Sequence, residues 1–305
     1  MTKWTNKHNL PPAFAEAVRF DDYSAGDADF SVTGLLNPPL ITRLVGLNEN
    51  KIVKDASEMI WLAMGKALHT LMERHSKHPA LTEGRIFWDF EGTKISGQPD
   101  NIEGRTLADW KATSVWTVIY GRKAAGDGSR SRFGDYEAQL NLYRYGLAAN
   151  GIFVDNLEAW LLLRDWNQNE QKRSAERNTW YPPAPVYVHH CPTWPLGQTE
   201  TFLRNKIKIH TTPTPNPCTD EDRWQQPSTF ALMKKGRKTA VKVEDSRTKL
   251  LQYAAIHKIE ISDPVYSIDE RVGKNSRCEG YCDASPFCQQ WKDIQNASSE
   301  GIAGS

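Results

Sequence analysis

Asp100, Asp109 and Lys111 are the side chains whose types and spacing could bind a cation and activate water. Side chains at i and i+2 of a strand share a face, so Asp109 and Lys111 of ADWK project together while Trp110 points to the other side. If Asp100 of GQPD lies on an adjoining strand, the two carboxylates converge on one spot. That spot suits a hard divalent cation such as Mg²⁺, which prefers oxygen ligands and keeps several waters. Lys111 beside the ion would orient or deprotonate a water and stabilise a pentavalent phosphate. Singly, each of these residues is an ordinary turn or strand residue. Two helical patterns add to them: Gly65, His69 and Glu73 recur at intervals of four in GKALHTLMERH, and Gln139 and Tyr143 stand at i and i+4 in YEAQLNLYRYG.

A second constellation lies late in the chain. RCEGYCDASPFC spaces Cys278, Cys282 and Cys288 with gaps of three and five residues. Thiolates suit iron–sulfur clusters and Zn²⁺ whereas Mg²⁺ avoids them, so this would be a separate site. Its fourth ligand would be Cys218 or Cys191, and for zinc His189 or His190 also qualifies. The alternative is a group of buried free thiols beneath Phe287 and Trp291. An odd number of cysteines, five, in a chain whose start MTKWTNKHNLPPAF has no apolar run argues against a disulfide framework and for the cytosol.

These residues need elements to hold them. Apolar positions from Met59 to Met72 recur at three and four, predicting an amphipathic helix over 56–75. RIFWDFEGTKISGQPDNIEGRTLADWK alternates apolar and polar positions between EGT and EGR turns, predicting short antiparallel strands near 85–90, 94–100 and 105–111. A Gly-rich basic loop at 121–134 leads into a helix closed by Asn150-Gly151, and LEAWLLLRDW at 157–166 suits a buried strand. Beyond 167 we expect proline-punctuated connectors around a helix at 197–210, a hairpin turning at KKGRK and a helix over SRTKLLQYAAIHK. The expected division is an irregular segment 1–55 with a short helix near Pro39–Leu47, a core 56–166, an extension 167–295 and a flexible tail 296–305.

Composition narrows the classes. With 305 residues, 39% hydrophobic and 25% charged, the chain is that of a polar globular protein with one large or two modest domains. No apolar run approaches the roughly 18 residues of a spanning helix, so no membrane partner is expected. A net charge of +1 does not advertise nucleic acid, so any such claim rests on local charge. Arg122, Lys123, Arg130 and Arg132 cluster in the 121–134 segment, and Lys234, Lys235, Arg237 and Lys238 at the hairpin tip. Either group could neutralise phosphates or be a solvated turn.

The order GxxxH on a helix, GQPD, DWK, then QxxxY on the next helix resembles the PD-(D/E)XK nuclease superfamily, in its RecB-like and Cas4-like exonuclease branch. The resemblance covers about 56–165 and implies an α/β, restriction-endonuclease-like three-layer core. It implies that Asp100 and Asp109 are metal ligands for Mg²⁺ or Mn²⁺, with His69 and the Trp110 carbonyl beside them, that Lys111 is catalytic, and that Gln139 and Tyr143 support the site or touch a DNA end. The second acidic position is Asp rather than Glu, as this branch commonly shows. A [4Fe-4S] cluster on Cys218, Cys278, Cys282 and Cys288 is similarly implied, with Zn²⁺ as the alternative. Two departures bear on it: the first gap is three rather than two residues, and no cysteine precedes 191. The implied function is a metal-dependent DNA exonuclease acting on free ends in recombination, repair or phage replication, in bacterial or phage-infected cytoplasm, beside a single-strand annealing partner. A non-catalytic DNA-binding or assembly protein that kept fold and cysteines, and a redox-sensing cluster protein, are the competing readings.

Overall fold

A computed structural model of the chain describes residues 2–19, 26–75, 84–127 and 131–303. It is mixed α/β, with helices around several small sheets, and it divides into two units, Met1–Asn216 and Pro217–Ser305.

The first unit opens with β1 (Lys3–Thr5), α1 (Pro12–Arg19), β2 (Phe30–Ser31), α2 (Val32–Leu36), α3 (Pro39–Asn48) and β3 (Val53–Asp55). This is more regular than the irregular segment expected, because the helices besides α3 are too short to show a period. β1 and β3 pair in parallel, and Asp55 at their end starts the next helical segment. Its carboxylate accepts hydrogen bonds from the Ser57 hydroxyl (2.6 Å) and amide (3.1 Å), the Thr5 hydroxyl (2.7 Å) and the Lys7 amide (2.9 Å). Glu58 returns a bond from the Asp55 amide, completing a capping box. A 3₁₀ turn, Ala56–Met59, then becomes α4 (Ile60–His75), matching the predicted helix.

β4 (Ile86–Phe90) and β5 (Thr93–Gly97) form a hairpin extended by β2. The strand expected over 94–100 instead stops at Gly97, and the chain turns through Gln98 and Pro99 to start β6 (Asn101–Glu103) in a different sheet. Pro99 has no N–H to donate to a ladder, which ends β5 there. β6 pairs antiparallel with β7 (Thr106–Thr113), and a crossover through α5 (Val115–Asp127) and α6 (Arg132–Ala149) returns the chain to β8 (Asn156–Leu163), parallel to β7. The expected basic loop at 121–134 is therefore mostly helix: Arg122 and Lys123 lie on α5, Arg132 opens α6, and Arg130 falls outside the described residues.

After α7 (Gln168–Glu176) comes β9 (Val186–Cys191), an edge strand antiparallel to β8, and then α8 (Leu196–Thr211). Sequence patterning predicted a connector for PPAPVYVHHCPTWP, but its prolines flank a strand rather than interrupt it. The sheet order is β6-β7-β8-β9. Leu157, Ala159, Leu161 and Leu163 of β8 turn one face inward and pack with Leu107 of β7 and Phe133, Leu140, Tyr143 and Leu147 of α6 into the main core.

The second unit has a three-stranded sheet, β12-β11-β13, and a two-stranded one, β10-β14. Its elements are β10 (Gln225–Gln226), β11 (Thr229–Lys234), β12 (Lys242–Glu244), α9 (Arg247–Ile256), β13 (Tyr266–Arg271), β14 (Lys274–Asn275), α10 (Ser276–Gly280) and α11 (Gln289–Ala303). The predicted hairpin and α9 both form, with Gly236 at φ +85° in the turn, a conformation that glycine adopts without a steric penalty. The flexible tail expected from 296 is helical through Ala303 as part of α11. The boundary falls near 216 rather than 166 because β9 and α8 pack into the first core, which the proline-rich sequence conceals. Among the described residues, no helix is long and apolar enough to cross a membrane.

Candidate active site

β7 supplies the centre. Its alternation places Asp109 and Lys111 on the face covered by α6 and Trp110 on the opposite one, where its ring lies 5.5 Å from that of Trp160. The Lys111 ammonium stands 2.6 Å from Asp109 Oδ2. Asp100, just before β6, is brought alongside because its Oδ2 accepts the Trp110 amide at 2.7 Å. On its other side, Asp100 Oδ1 lies 3.5 Å from His69 Nδ1 of α4, which packs on β7. From α6, Gln139 Nε2 donates to Asp109 Oδ1 (3.2 Å) and to the Tyr143 hydroxyl (3.1 Å). The six side chains predicted from four separate motifs thus form one connected group.

The electrostatics follow from burial. Asp109 is 1% exposed and Asp100 6% exposed, whereas the side chains of Lys111 and His69 are 27% and 30% exposed, so the group opens on their side. Burial and the neighbouring Asp109 charge push the Asp100 carboxyl up to about 8, against the opposing pull of Lys111 and His69. Burial draws Lys111 down, but the Asp109 and Asp100 charges outweigh it and hold the ammonium above its ordinary value. Burial, then Asp109, keeps the Tyr143 phenol protonated well above its usual range.

The donor set fits a hard cation. Asp109 Oδ2 is buried against the Lys111 ammonium at 2.6 Å and has no second partner among the described residues. Asp109 faces the Lys111 ammonium while the adjacent buried Asp100 carboxyl is pushed toward its neutral form, and a divalent ion between them would favour ionisation of both. Among the described residues no three His, Cys, Asp or Glu side chains stand in ready-made metal-holding geometry, here or among the cysteines.

Two contributors were not singled out from sequence. A Cβ at Gly97 would sit 2.8 Å from the Tyr143 ring, so the bare backbone there seats the tyrosine. Tyr136, one helical turn before Gln139, is 7% exposed and close enough for the Lys111 and Asp109 charges to act on its phenol, though burial is the main cause of its raised pKa. The period of α6 could have found Tyr136; Gly97 carries no local signal for a contact with a residue 46 positions later. Glu73 lies on an exposed part of α4 and takes no visible part.

The cysteines separate by unit. Cys191 ends β9 in the main core, and burial, then Glu137, pushes its thiol up to about 12. His189 on that strand meets Glu137 at 3.0 Å under the Phe133 ring, and His190 meets Glu158 at 3.3 Å. Both expected zinc alternatives are thus engaged by carboxylates. Cys218, Cys278, Cys282 and Cys288 all belong to the second unit, as free thiols. Burial, then Asp222 and the other three sulfurs, raises the Cys218 thiol to about 12, so these four lie within electrostatic reach of one another. Burial, then Cys282 and Cys288, pushes the Cys278 thiol up to about 11, against a smaller opposing pull from Arg223 and Arg277. Gln290 clasps the Cys218 backbone, accepting from its amide (2.8 Å) and donating to its carbonyl (2.7 Å), which fixes the start of α11 beside it.

No protein-family model matches the chain, and no curated protein is similar to it. Among solved structures, the crystal structure of SSO0001 is similar over 66% of this chain and 86% of its own, at 14% identity and a TM-score of 0.41. A likeness that slight carries no argument.

Proposed function

We propose that the chain is a metal-dependent DNA exonuclease with a PD-(D/E)XK-type core, hydrolysing phosphodiester bonds at DNA ends. The observation that supports this best is the linkage of His69, Asp100, Asp109, Lys111, Gln139 and Tyr143 into one partly open group. Asp100 and Asp109 would hold Mg²⁺ or Mn²⁺, with His69 and the Trp110 carbonyl beside them. A divalent ion there supplies Lewis-acid polarisation of the phosphate and a lowered pKa for bound water.

The chain's own residues do the rest. Lys111, held protonated by its carboxylates, serves better as a fixed positive charge than as a base. It orients the attacking water and stabilises the negative oxygens of the pentavalent phosphate as the water–phosphorus bond forms and the bond to the leaving oxygen breaks. Gln139 fixes Asp109 by one oxygen, leaving the other directed toward Lys111. Tyr143, protonated and bonded to Gln139, holds that amide in place.

Cys218, Cys278, Cys282 and Cys288 of the second unit would be the ligands of a soft metal centre, a [4Fe-4S] cluster or alternatively Zn²⁺, although they do not stand in ready-made metal-holding geometry, and Arg223 and Arg277 would favour the Cys278 thiolate. Work on DNA ends in recombination, repair or phage replication, beside an annealing protein, follows from the resemblance alone.

The test is cleavage of end-labelled linear and closed circular DNA with Mg²⁺ or Mn²⁺. Degradation of linear DNA only, abolished in Asp109→Ala, is expected. No cleavage by folded wild type would leave the binding-protein reading.

A further inference from the structure

Large apolar side chains in water need a reason when they gather. On α5, Trp116 and Tyr120 are 53% and 61% exposed and stack on each other with centroids 5.7 Å apart and planes inclined by 29°. Trp61 of α4, 56% exposed, lies under the Arg164 guanidinium at 4.4 Å, and the exposed Arg122 guanidinium covers Trp180 at 4.2 Å. From Val115 to Ala124 the only charged residues are Arg122 and Lys123, both exposed.

The backbone gathers these groups beside the catalytic strand. Arg164 donates its amide to the Thr113 carbonyl at 3.0 Å, and the adjoining Asp165 accepts from the Ser114 hydroxyl (2.5 Å) and the Val115 amide (2.6 Å) at the start of α5. The Thr113 and Thr117 hydroxyls meet at 2.8 Å, tying the first turn of α5 to the end of β7, two residues beyond Lys111. The rings therefore begin at the carboxyl ends of the parallel pair β7 and β8, where open α/β sheets place ligands.

We propose that the outward face of α5, with the Trp61–Arg164 pair beside its start, is a stacking track for the unpaired bases of single-stranded DNA on its way to the carboxylate group. Exposed rings accept any base on their π-faces, and interleaved cations neutralise the backbone between them. A duplex keeps its bases stacked inside and offers such rings nothing. A protein partner would use the apolar area but gives no reason for the Arg164 and Arg122 guanidiniums that lie over the rings. The direction of travel rests on the nuclease reading; the track itself does not.

Fluorescence anisotropy of a labelled oligothymidylate and a labelled blunt duplex, with no Mg²⁺ or Mn²⁺ added so that neither is cleaved, tests this. Wild type is expected to bind the oligothymidylate more tightly, with tryptophan quenching. Trp116→Ala combined with Tyr120→Ala is expected to weaken that binding by about tenfold or more, since each stacked ring contributes substantially. Both positions are exposed, so the variant should unfold at the wild-type temperature. Binding unaffected by the two substitutions, preference for duplex, or a loss of self-association as the only change would each overturn the proposal. If the rings govern binding but wild type cleaves no DNA, the nuclease reading falls and the track stands; cleavage with ring-independent binding is the reverse.

Discussion

Lys111 and Asp100 illustrate how one neighbourhood assigns different states to its groups. Both are surrounded by charge, yet the ammonium is held charged while the carboxyl is pushed toward neutrality. Lys111→Ala should therefore cut cleavage by on the order of a hundredfold to a thousandfold, the effect of losing one preorganised transition-state donor, while DNA binding persists. Parallel cleavage and anisotropy titrations check this, and an unchanged rate would remove the mechanism. Asp100 yields a stability prediction whose sign is fixed by its raised pKa. The folded protein holds a proton there up to about 8 whereas the unfolded chain releases it near 3.8, so metal-free stability falls as pH rises between those values. Thermal unfolding with no added divalent cation should show that fall, added Mg²⁺ should reverse it chiefly at the alkaline end, and Asp100→Asn should flatten both responses. Asp109 with Lys111 and Gln139 with Tyr143 were legible from strand spacing of two and helix spacing of four, whereas the roles of His69 and Asp100 rested on the order of motifs that resembles a nuclease family. Their hydrogen bonds to one another were not legible, since they join segments from α4 to α6 that only the packed sheet brings together.

At the scale of elements, the seating of α6 on the sheets depends on what is missing from them. Besides Gly97 under Tyr143, a Cβ at Gly146 would meet the Trp88 ring at 2.5 Å and one at Gly121 would meet Phe133 at 2.6 Å. Gly97→Ala should push Tyr143 outward and, through its bond to Gln139, loosen Asp109. Overpacking of this kind costs about 1–3 kcal/mol, so the variant should stay folded with a lowered unfolding midpoint while cleavage falls far more than DNA binding. Denaturant unfolding measured beside both activities separates this from general destabilisation, in which binding would fall equally. Elements with a clean period, α4, β8 and α9, were readable from sequence. β9 was not, because its flanking prolines imitate a connector, and β5 was drawn three residues too long because nothing local says that GQPD changes sheets.

For the whole molecule, the consequential finding is which unit owns the cysteines. A cluster that joined segments from both units would bind the chain together; here Cys218, Cys278, Cys282 and Cys288 all lie within Pro217–Ser305, and Cys191 alone lies in the other unit. With that arrangement the job of a bound metal would be to fold the second unit itself. The reason is thermodynamic: the Cys218, Cys278 and Cys282 thiols, raised chiefly by burial, must be deprotonated for ligation, and the binding free energy recovered then stabilises the fold that gathers them. Cys282→Ser should accordingly remove metal, read by elemental analysis and by loss of any visible iron–sulfur absorption, and should lower an unfolding step assigned to the second unit. The step assigned to the first unit should keep its midpoint, because its core is built from residues before 217. A single cooperative transition that moved as a whole on Cys282→Ser would show instead that the two units share their stability, and an unchanged metal content would exclude the thiols as ligands.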